Sequence, residues 1–240
     1  MTRHALLNNV AHKDLHVITR RAAQFGDDVM AVMTFPAEFR NLQAHYPIVF
    51  SKSKEGVFSP LALFGFRDKQ NLFLGADGWD APYVPLMVER QPFFIGKDAN
   101  GGEVIHVDLD SPRVTRDAGE KDAETLFREH GGTSEYLERM GSVLATISQG
   151  MAATPPFVAA LEEYNLLESF SLDIKFEDGA EHRFAGFYTI QEERLAKLDA
   201  DALGKLHARG YLQAAFMIVA SLSHFRDLIA RASKLDAGSR

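Results

Sequence analysis

Four side chains between residues 103 and 110 are of types that could transfer protons or bind a divalent cation. In an extended strand His106, Asp108 and Asp110 lie on one face, and Glu103 stands close by. Two carboxylates and an imidazole on one face suit acid–base chemistry or a Mg²⁺ or Ca²⁺ site. The favoured alternative is the solvent-exposed face of an edge strand, whose opposite face buries Ile105, Val107 and Leu109.

A second group of candidate residues combines aromatic rings with a guanidinium. Asp77, Trp79, Tyr83 and Arg90 lie in a segment that is repeatedly interrupted by Gly, Pro and Asp. Trp and Tyr join an apolar body to a polar tip, and Arg can form paired hydrogen bonds with a carboxylate. We predict that Trp79, Tyr83 and Arg90 border one groove that binds a peptide or a carboxylate ligand. The more frequent alternative is a core role for Trp79 and an internal pairing of Arg90 with Asp77 or Glu89.

Established catalytic motifs are absent from the sequence. There is no GxGxxG, GxxxxGK[ST] or GxSxG pattern. His12 and His16 have one-turn spacing, but Lys13 stands where a zinc protease carries its glutamate, and Leu15–Arg20 has a strand pattern. Ser51–Lys54 matches S-x-x-K only within a polar turn. The sequence therefore predicts no catalytic residue, no metal and no cofactor, and favours a binding protein over an enzyme.

Composition restricts the class of protein and its partners. The 240 residues are 46% hydrophobic and 25% charged, as in an ordinary globular protein. A net charge of -7 argues against nucleic acid as a partner. Without cysteine there is no disulfide framework. No stretch approaches the roughly 20 apolar residues of a membrane span, and polar residues interrupt the first 21 positions, so we expect a cytoplasmic protein without a membrane span.

The pattern of apolar residues changes along the chain, from short runs bounded by turn residues to helical spacing. This change predicts an α+β fold with a strand-rich N-terminal half and a helical C-terminal half. Residues 1–110 form the predicted strand-rich subdomain, 111–132 a polar connection and 133–240 a helical subdomain, unless all three form one compact domain. One short helix is predicted over residues 37–45. The predicted strands are Leu15–Arg20, Val29–Thr34, Ile48–Ser51, Leu61–Phe66, Asn71–Leu74, Phe93–Gly96 and Val104–Leu109.

The C-terminal half shows helical periodicity. A helix is predicted after a cap at Thr133 or Ser134, with apolar residues spaced by three and four, and a second helix is predicted to begin at Thr154–Pro155. Asp199 or Asp201 is predicted to cap a short helix that Gly210 closes. A final helix over residues 211–229 is predicted to be buried on several sides, because Leu212, Phe216 and Val219 widen its apolar stripe.

A β-hairpin is predicted over residues 169–190, within the helical half. Phe170, Leu172, Ile174 and Phe176 alternate with polar residues, so one face should be buried. A three-residue loop, Glu177–Gly179, would place Leu172 opposite Phe184 and Phe176 opposite Ala180. This register is preferred over a two-residue turn because it pairs apolar with apolar side chains.

Segments spread along most of the chain, in order, resemble the SapC family of bacterial proteins. Two departures from the family pattern are visible: Asp77-Gly78-Trp79 is contracted, and Glu89–Arg90 stands where two arginines are expected. The matching segments are Tyr46–Phe50, Gly56–Pro60, Leu63–Phe66, Asn71–Phe73, Asp77–Trp79, Tyr83–Pro85, Arg90–Phe93, Val107–Asp108, Asp110–Arg113, Gly186–Ile190 and Gly210–Leu212.

The resemblance implies association with other proteins or peptides. The family name comes from a bacterial surface layer, and some members are labelled peptide-transport proteins. Similar proteins occur beside flavin-dependent halogenases, cupin-like proteins and TonB-dependent receptors. We therefore expect a soluble accessory protein that binds a peptide, a precursor or a partner such as a halogenase or a receptor segment. The alternatives are an enzyme acting on a peptide or amino-acid derivative through the Glu103–Asp110 face, and a surface-layer or peptide-transport component.

Overall fold

The computed structural model describes residues 3–98, 101–175 and 181–238 and has a mixed α+β fold. Its strands are β1 His4–Leu6, β2 His16–Ile18, β3 Ala31–Met33, β4 Ile48–Lys52, β5 Phe58–Leu63, β6 Leu74–Gly75, β7 Gly78–Trp79, β8 Phe93–Lys97, β9 Glu103–Asp108, β10 Val114–Thr115, β11 Ala123–Thr125, β12 Leu167–Lys175 and β13 Glu181–Ile190. Its helices are α1 Phe39–Leu42, α2 Leu86–Glu89, α3 Glu135–Glu163, α4 Glu192–Leu195, α5 Ala200–Ala208, α6 Tyr211–Ser221 and α7 Phe225–Gly238.

The chain divides into two compact units, each assembled from three separate segments. The first unit contains Met1–Asp28, Leu74–Asp80 and Leu86–Gln149, and the second contains the remaining segments, Val29–Phe73, Ala81–Pro85 and Gly150–Arg240. This division does not follow the predicted boundary. The polar connection 111–132 lies wholly in the first unit, and both units use strands from the N-terminal half.

The first unit contains two three-stranded antiparallel sheets, with orders β1-β9-β8 and β10-β2-β11. The predicted loop at 111–132 is wrong in part, because β10 and β11 lie in it and pair with the two edges of β2. The hydrophobic core of this unit joins both sheets to the first part of α3, and the predicted helical stripe supplies three of its members. The stripe supplies Leu137, Met140 and Leu144. The other buried residues of this core are Leu15, Val17, Phe93, Val107, Leu126 and Tyr136.

Helix α3 begins where the sequence predicts but does not end there. The Ser134 hydroxyl accepts the Leu137 amide at 3.1 Å, which is an N-cap. The predicted break at Thr154–Pro155 is wrong, since α3 continues through Pro155 and Pro156 to Glu163. Thr154 is buried inside the helix and donates its hydroxyl to the Gly150 carbonyl at 2.9 Å instead of capping a new helix. Packing of the apolar residues beyond the prolines outweighs the missing helical hydrogen bonds.

The second unit is built on a five-stranded antiparallel sheet with the order β12-β13-β4-β5-β3. The predicted helix over 37–45 is reduced to α1, whose Phe39 and Leu42 are fully buried. Gly150 of α3 packs directly against Phe35, because a Cβ at that position would lie 2.2 Å from the phenyl ring. The absence of a side chain at residue 150 therefore permits this close approach of helix and ring.

The predicted hairpin is confirmed in strand type and in the pairing of Leu172, and the predicted face is the less exposed one among the described residues. Strands β12 and β13 are antiparallel, and Leu172 lies opposite Phe184 as the three-residue loop requires. Ile174 is buried, and Phe170 and Leu172 are half-buried, whereas the intervening polar residues are exposed. A bulge between Phe170 and Leu172 shifts the register beyond them. Phe176, Ala180 and the loop Glu177–Gly179 lie outside the described residues.

The end of the chain departs from the prediction of one helix buried on several sides. A 3₁₀ turn at Leu222–His224 separates α6 from α7. Ile218 is fully buried, but Phe216 is 54% exposed and Leu222 is half-buried. Helix α6 therefore buries a narrower stripe than its composition indicates. Asp199 caps α5 as predicted, accepting the Ala202 amide at 2.8 Å.

Candidate functional site

The three carboxylates of the predicted acidic face each bind another group of the fold. The Glu103 carboxylate accepts the Ser148 hydroxyl at 2.6 Å. Asp110 accepts the Arg3 amide at 2.8 Å and approaches its guanidinium at 3.6 Å. Asp108 accepts the amide of Asp110 at 3.0 Å, which closes a local turn. These contacts give the carboxylates roles within the fold.

His106 on the same face is held by ring packing. Its imidazole lies against Phe94, with ring centroids 5.5 Å apart, and covers Gly96, where a Cβ would lie 2.4 Å from the ring. Strand β9 is the middle strand of its sheet, so the edge-strand interpretation is wrong. In the parts of the chain that the structure describes, no group of three or more His, Asp or Glu side chains could hold a metal ion.

Asp77 and Trp79 lie in the hairpin formed by β6 and β7. Trp79 is half-buried opposite Leu74, and Asp77 is exposed in the turn. Arg90 is half-buried and donates to the Phe93 carbonyl at 2.7 Å. Burial lowers the pKa of Arg90. Its partner is therefore a backbone oxygen, while the Glu89 carboxylate pairs with Arg21 at 2.6 Å.

Tyr83 is half-buried and belongs to a hydrogen-bond network in the second unit. Its hydroxyl donates to Glu38 at 3.0 Å, and its carbonyl accepts the Tyr46 hydroxyl. Glu38 also accepts the Thr34 hydroxyl at 2.7 Å. Burial, together with the adjacent Glu38 charge, raises the pKa of the Tyr83 phenol. Trp79 and Arg90 lie in the first unit and Tyr83 in the second, so their shared groove stays a prediction.

A buried ion pair in the first unit was not predicted from the sequence. Arg113 and Asp27 are 1% and 0% exposed and meet at 2.5 Å. Arg113 also donates to the carbonyls of Ile18 and Arg20 at 2.9 and 3.0 Å. Burial lowers the pKa of Arg113, and the Asp27 charge opposes that shift. In the sequence, Arg113 stands out only as part of the SapC-like segment Asp110–Arg113. That resemblance does not identify Asp27 as its partner. The pair has the character of a structural contact.

A polar cleft of about 570 Å³ lies in the second unit, where α3 ends and α4 begins. The chain leaves α3 through Tyr164 and Asn165, and Asn165 has a φ of 51°. The amide of Gln191 donates to the Leu166 carbonyl at 2.8 Å, which brings α4 next to this turn. We call this site the polar cleft; its lining is Glu163, Tyr164, Asn165, Gln191, Glu193, Arg194, Lys197, Leu198, Asp199 and Ala202.

Arg194 is exposed and gives the polar cleft a positive group. Its Nε donates to the Tyr164 carbonyl at 2.9 Å, which orients the guanidinium. Among the described residues, no hydrogen bond or ion pair engages its two terminal nitrogens. Lys197 lies in the same lining and is exposed. Sequence reasoning missed both residues, because exposed charged side chains on a short helix or in the turn after it are usually only solvated.

Comparison with known proteins identifies the family. The SapC family model matches residues 7–228 of the 240-residue chain. The chain belongs to the SapC family. No curated protein and no solved structure gives a significant match to this SapC-family chain. Within the described residues, no helix is long and apolar enough to cross a membrane.

Proposed function

We propose that this SapC-family protein binds a peptide or protein segment through a carboxylate at the polar cleft. The observation that carries the proposal is Arg194, whose Nε is held by a backbone carbonyl while its terminal nitrogens make no hydrogen bond or ion pair among the described residues. A guanidinium fixed in this way is pre-organised to form paired hydrogen bonds with a carboxylate. Lys197 supplies a second positive charge.

The size and mixed charge of the cleft support a short peptide as the ligand. Its volume of about 570 Å³ falls within the roughly 300–1,000 Å³ of small-molecule sites. Glu163 and Glu193 add acceptors for ammonium or amide groups. The Asp199 carboxylate is already used by the Ala202 amide. A ligand with a terminal carboxylate and further peptide N–H groups fits this donor and acceptor set.

In this proposal the protein is an accessory that presents or retains its partner in the cytoplasm. A precursor peptide or an exposed segment of a halogenase or a TonB-dependent receptor would supply the carboxylate. The enzyme alternative gains no specific observation, because Glu103, Asp108 and Asp110 each bind a group of the fold.

The proposal is tested with two acetylated tripeptides of the same sequence, Ala-Leu-Ala, one with a free C-terminal carboxylate and one with an amide. Binding is followed by calorimetry and by ¹⁵N chemical shifts. We expect the free carboxylate to bind more tightly and to shift the amides of Asn165 and Lys197. Arg194→Ala should weaken that binding about tenfold or more, the value of a hydrogen bond to a charged group.

The matched control is Arg226→Ala, which removes an exposed arginine of α7 and should leave binding unchanged. Because Arg194 also holds the Tyr164 carbonyl, thermal unfolding must show that the variant is folded. Lys197→Ala gives a second test without that structural contact and should weaken binding about two- to fivefold. Equal binding of the two tripeptides by the wild-type protein would exclude carboxylate recognition at this cleft.

A further inference from the structure

A separate groove in the second unit runs between α3 and the turn that joins β4 to β5. Its volume is about 350 Å³. Val57 and Phe58 contribute apolar surface from the strand side, and Met151, Val158 and Ala159 contribute it from the helix. Val57 is 60% exposed, so a large apolar side chain at the groove faces solvent. We call this site the α3 groove.

The two prolines in α3 change the backbone chemistry of the helical wall. In an α-helix the carbonyls of residues 151 and 152 would accept the amide hydrogens of residues 155 and 156. Both of those residues are proline and have no amide hydrogen. The carbonyls of Met151 and Ala152 therefore lack their helical donor. Met151 and Pro155 both line the groove, so a carbonyl without its helical donor belongs to a residue of this apolar wall.

The charged groups that line the groove are acceptors as well. Glu55 lies on the strand side and Glu162 on the helical side. A hydrogen bond from Ser53 lowers the pKa of Glu55, which favours its charged form. The Thr154 hydroxyl is donated to the Gly150 carbonyl. The nearby Lys52 ammonium lies 4.6 Å from the Phe58 ring centroid, where the ring face engages its charge.

We propose that the α3 groove binds an extended peptide segment in which an apolar side chain stands next to a lysine or arginine. The apolar side chain covers Val57, Met151 and Ala159, which removes exposed apolar surface from water. The cationic group pairs with Glu55 and Glu162. A peptide N–H donates to the carbonyl of Met151, which lacks its helical donor. This site uses none of the residues of the polar cleft and recognises the opposite charge.

The test uses two pentapeptides that are acetylated and amidated, Ala-Leu-Lys-Leu-Ala and Ala-Leu-Gln-Leu-Ala. Neither carries a carboxylate, so neither offers the group that Arg194 is proposed to bind. Titration of ¹⁵N-labelled full-length protein should shift the amides of Gly56, Val57 and Ala159. The lysine peptide should bind about two- to fivefold more tightly than the glutamine peptide, as expected for solvent-accessible ion pairs.

Variants separate the groove from nonspecific attraction by an acidic protein. Glu162→Gln should weaken binding of the lysine peptide about two- to fivefold. Val57→Ser should weaken binding of both peptides. Glu168→Gln makes the same charge change at an exposed residue of β12 and should have no effect. Equal affinity for the two peptides, equal effects of the two glutamate changes, or shifts that map outside the groove would each overturn the proposal. Failure of the tripeptide test at Arg194 would leave this result untouched.

Discussion

At the scale of single residues, Arg113 belongs to a buried ion pair whose disruption should be costly. Its guanidinium is buried with the Asp27 carboxylate and also bonds two backbone carbonyls. Its Nε is buried and finds no hydrogen-bond acceptor in the described part of the chain. A buried charge that loses its counterion retains the full cost of desolvation. Removal of Asp27 therefore leaves the Arg113 charge buried without its counterion.

We predict that Asp27→Ala lowers the free energy of unfolding by about 3–5 kcal/mol, because it leaves the Arg113 charge buried and unpaired. Urea unfolding followed by circular dichroism measures the change. Glu120→Ala is the control. It removes a partly exposed pair with Arg20 at 2.9 Å and should cost no more than about 1 kcal/mol. If the two variants unfold at the same urea concentration, the buried Arg113–Asp27 pair contributes no more to stability than the partly exposed Arg20–Glu120 pair.

At the scale of elements, the middle of α3 is determined by its packing more than by its sequence. Proline at 155 and 156 and a threonine at 154 are together typical of a helix start. The buried Thr154 and Phe157 and the contact of Gly150 with Phe35 instead hold one continuous helix through this point. Gly150 is thus required by a neighbouring ring and not by its own backbone conformation.

The two helical glycines at 150 and 204 provide a matched test of that conclusion. Gly150→Ala should destabilise the protein by about 1–3 kcal/mol, because its methyl group would overlap the Phe35 ring. Gly204→Ala in α5 meets no atom within 4 Å and should stabilise by about 0.5–1 kcal/mol through helix propensity. Thermal unfolding of both variants measures the difference. Stabilisation by both alanines would show that Phe35 moves aside at little cost.

Helix α6 gives a second prediction at this scale. Ile218→Asp should lower stability by several kcal/mol, on the order of the total stability of a domain, because the carboxylate would be buried without a partner. Phe216→Asp, two residues away, should change stability by less than about 0.5 kcal/mol because Phe216 is exposed. Leu222→Asp should lie between them. Similar unfolding temperatures for all three variants would show that the buried stripe of α6 is assigned wrongly.

At the scale of the whole molecule, neither compact unit is a continuous piece of chain. The central strands of the second unit's sheet show why. Strand β13 comes from the C-terminal half and pairs with β4 from the N-terminal half, with Tyr188 opposite Phe50. Sheet closure therefore joins residues about 140 positions apart, as long-range strand pairing commonly does. A boundary placed between residues 110 and 132 would cut this sheet.

We predict that a fragment of residues 133–240 does not fold cooperatively on its own. It would keep the β12–β13 hairpin but lose β4, β5 and β3, and an isolated two-stranded hairpin is marginally stable in water. The measurement is the dispersion of its ¹H–¹⁵N spectrum and its urea transition, with the full-length chain as the reference. Native-like dispersion in the fragment would support the predicted subdomain boundary.

The candidate sites show how far residue types alone can lead. The residue types at 103–110 suggested acid–base chemistry. However, Glu103 binds Ser148, which is 45 positions away, and Asp110 binds Arg3, which is 107 positions away. The polar cleft was not predicted, because Arg194 acquires its orientation from a turn 30 residues earlier. A side chain's type is local information, whereas its free hydrogen-bonding capacity depends on the neighbours that folding brings.

The sequence by itself determined the features that arise from neighbouring residues. Alternation predicted the β12–β13 hairpin, a three-residue loop predicted the pairing of Leu172 with Phe184, and a cap at Thr133 or Ser134 predicted the start of α3. Only the tertiary structure decided that α3 continues through its prolines, that Arg113 pairs with Asp27, and that the chain divides into interleaved units. The physical reason is the distance along the chain over which each kind of interaction acts. Backbone propensity and capping act over a few residues, while burial and strand pairing join residues that are far apart in the chain.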